Sequence, residues 1–151
     1  MKKNCRILIL SHSFVKKVNL SFALHLSKKN NLDVSCVVPI RISQSNKKIY
    51  PDYKKKNINL NIFSAELINK SMRFQYFKNI RKIIKKKEPN IIFLDNDTVC
   101  IQSLILIFWS FFFNYKINYF CNENNLINLF KSFSLKKLLK LCIIYFVNLI
   151  I

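Results

Sequence analysis

Apolar and polar positions fall in blocks along this chain, and the period of the blocks changes. Residues 6–12 carry the unbroken run Ile7-Leu8-Ile9-Leu10, which reads as a strand buried on both faces, and the run stops in Ser11-His12-Ser13. Over 14–29 the spacing turns helical: Val15, Val18, Phe22, Ala23 and Leu26 share one face, with Lys16, Lys17, Lys28 and Lys29 mainly off it. Residues 33–40, DVSCVVPI, predict a second strand closed by Pro39. Residues 41–57 are polar and basic and, with Pro51-Asp52, read as a loop, while 58–65, INLNIFSA, alternate weakly as a third strand.

The clearest helical pattern covers 67–87, where Met72, Tyr76, Ile80, Ile83 and Ile84 make one stripe and Lys78, Arg81, Lys82 and Lys85 another. Its basic residues crowd the last turns, where the helix dipole favours them, and Pro89 ends it. Residues 90–95, NIIFLD, predict a strand, with Asn96-Asp97-Thr98 as an N-cap for an apolar helix over 99–113. Residues 116–121, KINYFC, predict another strand, followed by Asn122-Glu123-Asn124-Asn125, and 126–151 read as helical and increasingly apolar.

Strands alternating with helices, the strands themselves continuously apolar, predict an α/β fold: one Rossmann-like parallel sheet with helices on both faces, in a single domain. Ligands of such sheets bind beyond the carboxyl ends of the strands. Three polar clusters fall there and are expected to line one edge: Ser11-His12-Ser13, Asp95-Asn96-Asp97 and Glu123-Asn124-Asn125.

Composition narrows the picture. Half of the 151 residues are hydrophobic, which excludes a disordered chain. Lys and Arg number 26 against 7 Asp and Glu, a net charge of +19. Such a field favours polyanionic partners, although Lys, Asn and Ile together also fit an AT-biased coding sequence. The five cysteines lack C-x-x-C spacing and have no histidine beside a pair, so no zinc site is predicted, and no other cofactor is expected. Their odd number and the lack of a signal-peptide pattern point to a reducing, cytoplasmic setting. The run 101–113, IQSLILIFWSFFF, is short of the roughly 20 apolar residues that span a bilayer, and reads as a buried crossover helix. Residues 141–151 read as a core helix, a truncated helix or a surface-inserting tail. Lys136, Lys137 and Lys140 before it fit either an anionic membrane surface or the solvated face of an ordinary helix.

The candidate chemistry is sparse. His12 reads as a general base, a phosphate contact or a plain loop residue; His25, in the middle of the first helix, reads as structural. Asp95 and Asp97 suit sugar hydroxyls or a cap, and Glu123 with Asn124 and Asn125 suits a polyhydroxyl ligand or a turn. No phosphate-binding glycine motif is present, because the chain contains no glycine. No aromatic–basic stripe of the kind that stacks on bases is found, so nucleic acid is disfavoured.

The order RILILSHSF, LSKKNNLDVSCVVP, YPDY, IRKIIKKKEPNIIFLDND, KINYFCNENN resembles the N-terminal half of GT-B glycosyltransferases, particularly the large retaining family 4. The resemblance implies a Rossmann-like domain, 1–151, that binds a glycan or lipid-linked acceptor at the cytoplasmic membrane face, in the making of cell-envelope polysaccharide. It further implies that the donor nucleotide-sugar is bound by a second half or a separate subunit, through a Glu-x7-Glu pattern. The glutamates here are Glu66, Glu88 and Glu123, and no two are so spaced. The family's first loop is usually glycine-rich; Ser11 to Asn19 has none, so the loop takes another shape or has lost its donor-phosphate role. Two other readings remain at this stage: a stand-alone basic module for a phosphorylated ligand, and a membrane-surface protein.

Overall fold

A computed structural model describes residues 5–44, 47–68, 74–95 and 100–119. Its centre is a five-stranded, wholly parallel sheet of β1 (Cys5–Ser11), β2 (Leu32–Pro39), β5 (Asn61–Ala65), β8 (Ile91–Asp95) and β9 (Lys116–Tyr119). The spatial order is β5-β2-β1-β8-β9. The chain thus steps outward from β1 through β2 to β5, then returns past β1 to build β8 and β9. The reversal falls between β1 and β8, which is the switch point of a doubly wound α/β sheet. The predicted fold class, Rossmann-like and α/β in a single domain, is the one observed.

Side chains of successive strand residues point to opposite faces, so a central strand must be apolar on both. Ile7 and Ile9 of β1 join Val34, Cys36 and Val38 in one core, covered by Phe14, Leu20 and Ala23. Leu8 and Leu10 join Val37, Ile92, Leu94 and Ile117 in the other, covered by Ile80, Ile84 and Leu106. Helix α1 (Ser21–Ser27) therefore lies on the first face, and α2 (Ile80–Lys87) and α3 (Ile101–Ser110) on the second.

Several predicted elements differ from those observed. The helix expected over 14–29 begins as two 3-10 turns, His12–Val15 and Lys17–Leu20, and is α-helical only over α1. The turns rotate Val18 out to 74% exposure and bury Phe14 and Leu20 instead. His25 is exposed on α1 and packs into neither core. The loop of 41–57 contains a hairpin, β3 (Ile42–Gln44) with β4 (Lys47–Ile49), and a 3-10 turn at Lys55–Asn57.

The helix expected over 67–87 is the largest departure. Leu67–Ile68 (β6) pairs antiparallel with Tyr76–Phe77 (β7), and α2 starts only at Ile80. Asn79 stands before it at φ 60°, which no α-helix can continue through. The stripe Ile80, Ile83, Ile84 and the exposed cations of α2 are as predicted; Met72 lies outside the described residues. Helix α3 is capped by Cys100, whose sulfur accepts from the Ser103 N–H at 3.4 Å; Asp97 and Thr98, the expected caps, lie outside the described residues. It crosses from β8 to β9 as expected, but only one side of it is buried. Cys36 and Cys100 are buried small hydrophobes, and Cys5 is partly buried. Among the described residues no helix is long and apolar enough to cross a membrane.

Candidate functional site

The parallel register sets Ser11, the last residue of β1, directly beside Asp95, the last of β8. Eighty-four positions apart in sequence, they meet at the carboxyl side of the switch point. Ser11 Oγ donates to Asp95 Oδ2 at 2.5 Å and accepts from the Ser13 N–H at 3.1 Å. Ser13 Oγ lies 2.7 Å from Ser11 Oγ and 3.2 Å from the same Asp95 oxygen. Ser11 is 1% exposed, so the cluster is fixed from below by a buried hydroxyl. The loop after β1 holds no left-handed residue: the positive-φ positions among the described residues are Asn79 and Glu88. The 3-10 turn that follows Ser11 needs no glycine. Its Ser13 N–H is taken by the Ser11 hydroxyl, so it does not form the open nest of N–H groups that cradles a phosphate.

Next to Asp95 is a cavity of about 10 Å³, lined among others by His12, Gln75, Tyr76, Phe77 and Gln102. That is room for about one water or one hydroxyl group. Two of its lining residues carry a buried polar atom without a hydrogen-bond partner among the described residues, His12 Nδ1 and Gln102 Nε2. Gln102 is itself held in place, because its Oε1 accepts from the Phe77 N–H at 2.6 Å. The β6–β7 hairpin and the first turn of α3 thus position one amide against the strand ends. Among the described residues neither Lys nor Arg lines the cavity. The local charge is the Asp95 carboxylate, which accepts hydrogen bonds and repels anions.

Of the predicted site residues, Ser11, His12, Ser13 and Asp95 come together here. Asn96, Asp97, Glu123, Asn124, Asn125, Lys136, Lys137 and Lys140 lie outside the described residues. Gln102 was missed by sequence reasoning, where Gln102-Ser103 only interrupts an apolar run; two polar residues inside such a run are the signal that could have found it. A larger hollow of about 340 Å³, lined by Arg6, Asn90 and Tyr115 among others, opens at the amino ends of the strands, away from the switch point. Among the described residues no three His, Cys, Asp or Glu side chains are grouped as metal ligands. Compared with protein-family models, curated proteins and solved structures, the chain matches none.

Proposed function

We propose that this chain is the acceptor-binding half of a glycosyltransferase of the GT-B type, and that its switch-point pocket receives a hydroxyl of a glycan or lipid-linked acceptor. The observation that carries the reading is the Ser11–Ser13–Asp95 cluster with His12 Nδ1 and Gln102 Nε2 beside it. An alcohol both donates and accepts. A carboxylate can take its proton, and an amide N–H can bind its oxygen. A phosphate at the same place would meet the Asp95 charge with neither Lys nor Arg among the described lining residues to offset it, which favours the neutral hydroxyl over a phosphorylated ligand. Transfer from a nucleotide-sugar would need a donor-binding half, supplied as a further domain or a separate subunit.

The test is saturation-transfer NMR of the chain with neutral oligosaccharides and, in parallel, with sugar phosphates and inorganic phosphate. Neutral glycans should bind, and Asp95→Ala should weaken them about tenfold, the scale of one charge-assisted hydrogen bond. Binding of phosphates in preference to neutral glycans, or glycan binding indifferent to Asp95→Ala, would sink the reading.

A further inference from the structure

Helix α3 covers the sheet with one side only. Gln102, Ser103 and Leu106 are buried, whereas Leu104, Phe108, Phe111 and Phe112 are each more than half exposed. Positions 104, 108, 111 and 112 follow helical spacing, so they form one outward stripe. Ring contacts make it continuous: Phe108 lies 5.1 Å from Trp109 and 5.3 Å from Phe112 between centroids. The stripe borders a basic helix. The Arg81 guanidinium of α2 stacks 4.5 Å above the centre of the Trp109 ring. Lys82 and Lys85 of α2 are exposed too, Lys86 is exposed over the Phe63 ring of β5, and α2, IRKIIKKK, has no acidic residue.

We infer that this α2–α3 face docks on an anionic lipid surface. The phenylalanines of α3 enter the boundary between head groups and acyl chains, and the cations of α2 rest against lipid phosphates. Exposed aromatic and aliphatic side chains beside a row of cations are what a bilayer interface accommodates together. Charge selects the occupant. A second copy would bring two such basic helices together in a molecule of net charge +19, which is repulsive. The stripe itself offers no hydrogen-bonding side chain to read a base edge. The inference does not depend on the sugar reading, because the docking stripe and the switch-point pocket use different residues.

The chain's single tryptophan, Trp109, borders the stripe through its ring contacts with Phe108 and Phe112 and reports on it. The full chain is mixed with phosphatidylcholine vesicles, and with vesicles containing about 30% phosphatidylglycerol. The expected result is sedimentation with the anionic vesicles only, with a blue shift of Trp109 emission and quenching by brominated acyl chains. Phe111→Ser/Phe112→Ser, at the two most exposed of these positions, should weaken binding about tenfold or more with an unchanged circular-dichroism melt. Lys82→Glu/Lys85→Glu gives a second, independent variant, with an expected loss of about fivefold or more per residue. Equal binding to neutral vesicles, undiminished binding by the phenylalanine variant, or a Trp109 that lipid quenchers do not reach would each overturn the inference. So would displacement from the vesicles by an oligonucleotide that the phenylalanine variant binds equally well.

Discussion

Glu88 ends α2 in the left-handed conformation, φ 43° and ψ 57°, where a β-carbon crowds the backbone by about 1 kcal/mol and glycine does not. Its compensation is an ion pair with Arg6 at 3.7 Å, with the Glu88 side chain 73% exposed, a geometry that contributes little in water. Glu88→Gly should therefore stabilise the fold by about 0.5–1 kcal/mol, read as a higher urea midpoint at unchanged slope. Asn79, the other left-handed residue, tolerates that region through its short polar side chain and should gain less from the same change. Tyr53 is a residue of a different kind. Burial first, and then the nearby Cys36 and Asp52, push its phenol up to about 12 from 10.0. Its O–H donates to the Phe14 carbonyl at 2.6 Å, and Tyr115, also raised by burial, donates to the Leu106 carbonyl. A phenol whose pKa is raised by folding stabilises the native state fully below its unfolded value, and that contribution disappears as pH climbs through the folded value. The melting temperature should fall between pH 10.0 and about 12, as phenolate absorbance grows, and Tyr53→Phe should flatten that fall.

Eight residues are too few for a helix to stand alone in water, so α2 exists because Ile80 and Ile84 are buried against the sheet. Ile84 is fully buried, and Ile84→Ala should cost about 2–5 kcal/mol, measurable by denaturant unfolding. The same helix shows where sequence patterns carry and where they stop. Ile80, Ile83 and Ile84 were legible because their partners are one turn away. Tyr76 fitted the same period, but it pairs with Ile68 across a hairpin, and the amide of Phe77 is claimed by Gln102, 25 positions on. Spacing along a chain carries no information about such a partner. The central strands β1 and β2 were legible because burial on both faces leaves little room for polar residues, whereas β5, mostly exposed or half-buried, showed only a weak alternation. The site was legible in half. Ser11 and Asp95 each stood at a strand end, and only the register made them neighbours. Gln102 looked like a flaw in an apolar helix until the hairpin gave it a place. The helical period over 14–29 was wrong for Val18, because two 3-10 turns advance the chain at three residues per turn and rotate that face outward.

At the scale of the whole molecule, charge acts on folding and on docking with opposite signs. The chain carries +19, and the two ion pairs among the described residues, Arg6–Glu88 and Lys78–Glu66, are both exposed. Repulsion among cations therefore outweighs attraction, and compaction works against it. Raising salt from about 0.02 M to about 0.5 M shortens the Debye length from roughly 20 Å to roughly 4 Å, which removes most of that repulsion. The melting temperature should rise by about 3 °C, equivalent to about 1 kcal/mol. Attraction of Arg81, Lys82 and Lys85 to anionic lipid is screened over the same range, so vesicle binding should fall as the fold becomes firmer. Calorimetry and sedimentation across one salt series separate the two effects. A protein lost from vesicles because it unfolds would lose both signals together, whereas one released by screening leaves the membrane more stable than it was on arrival. A melting temperature that falls with added salt would mean that the acidic residues hold the fold through attractions stronger than these two exposed pairs supply.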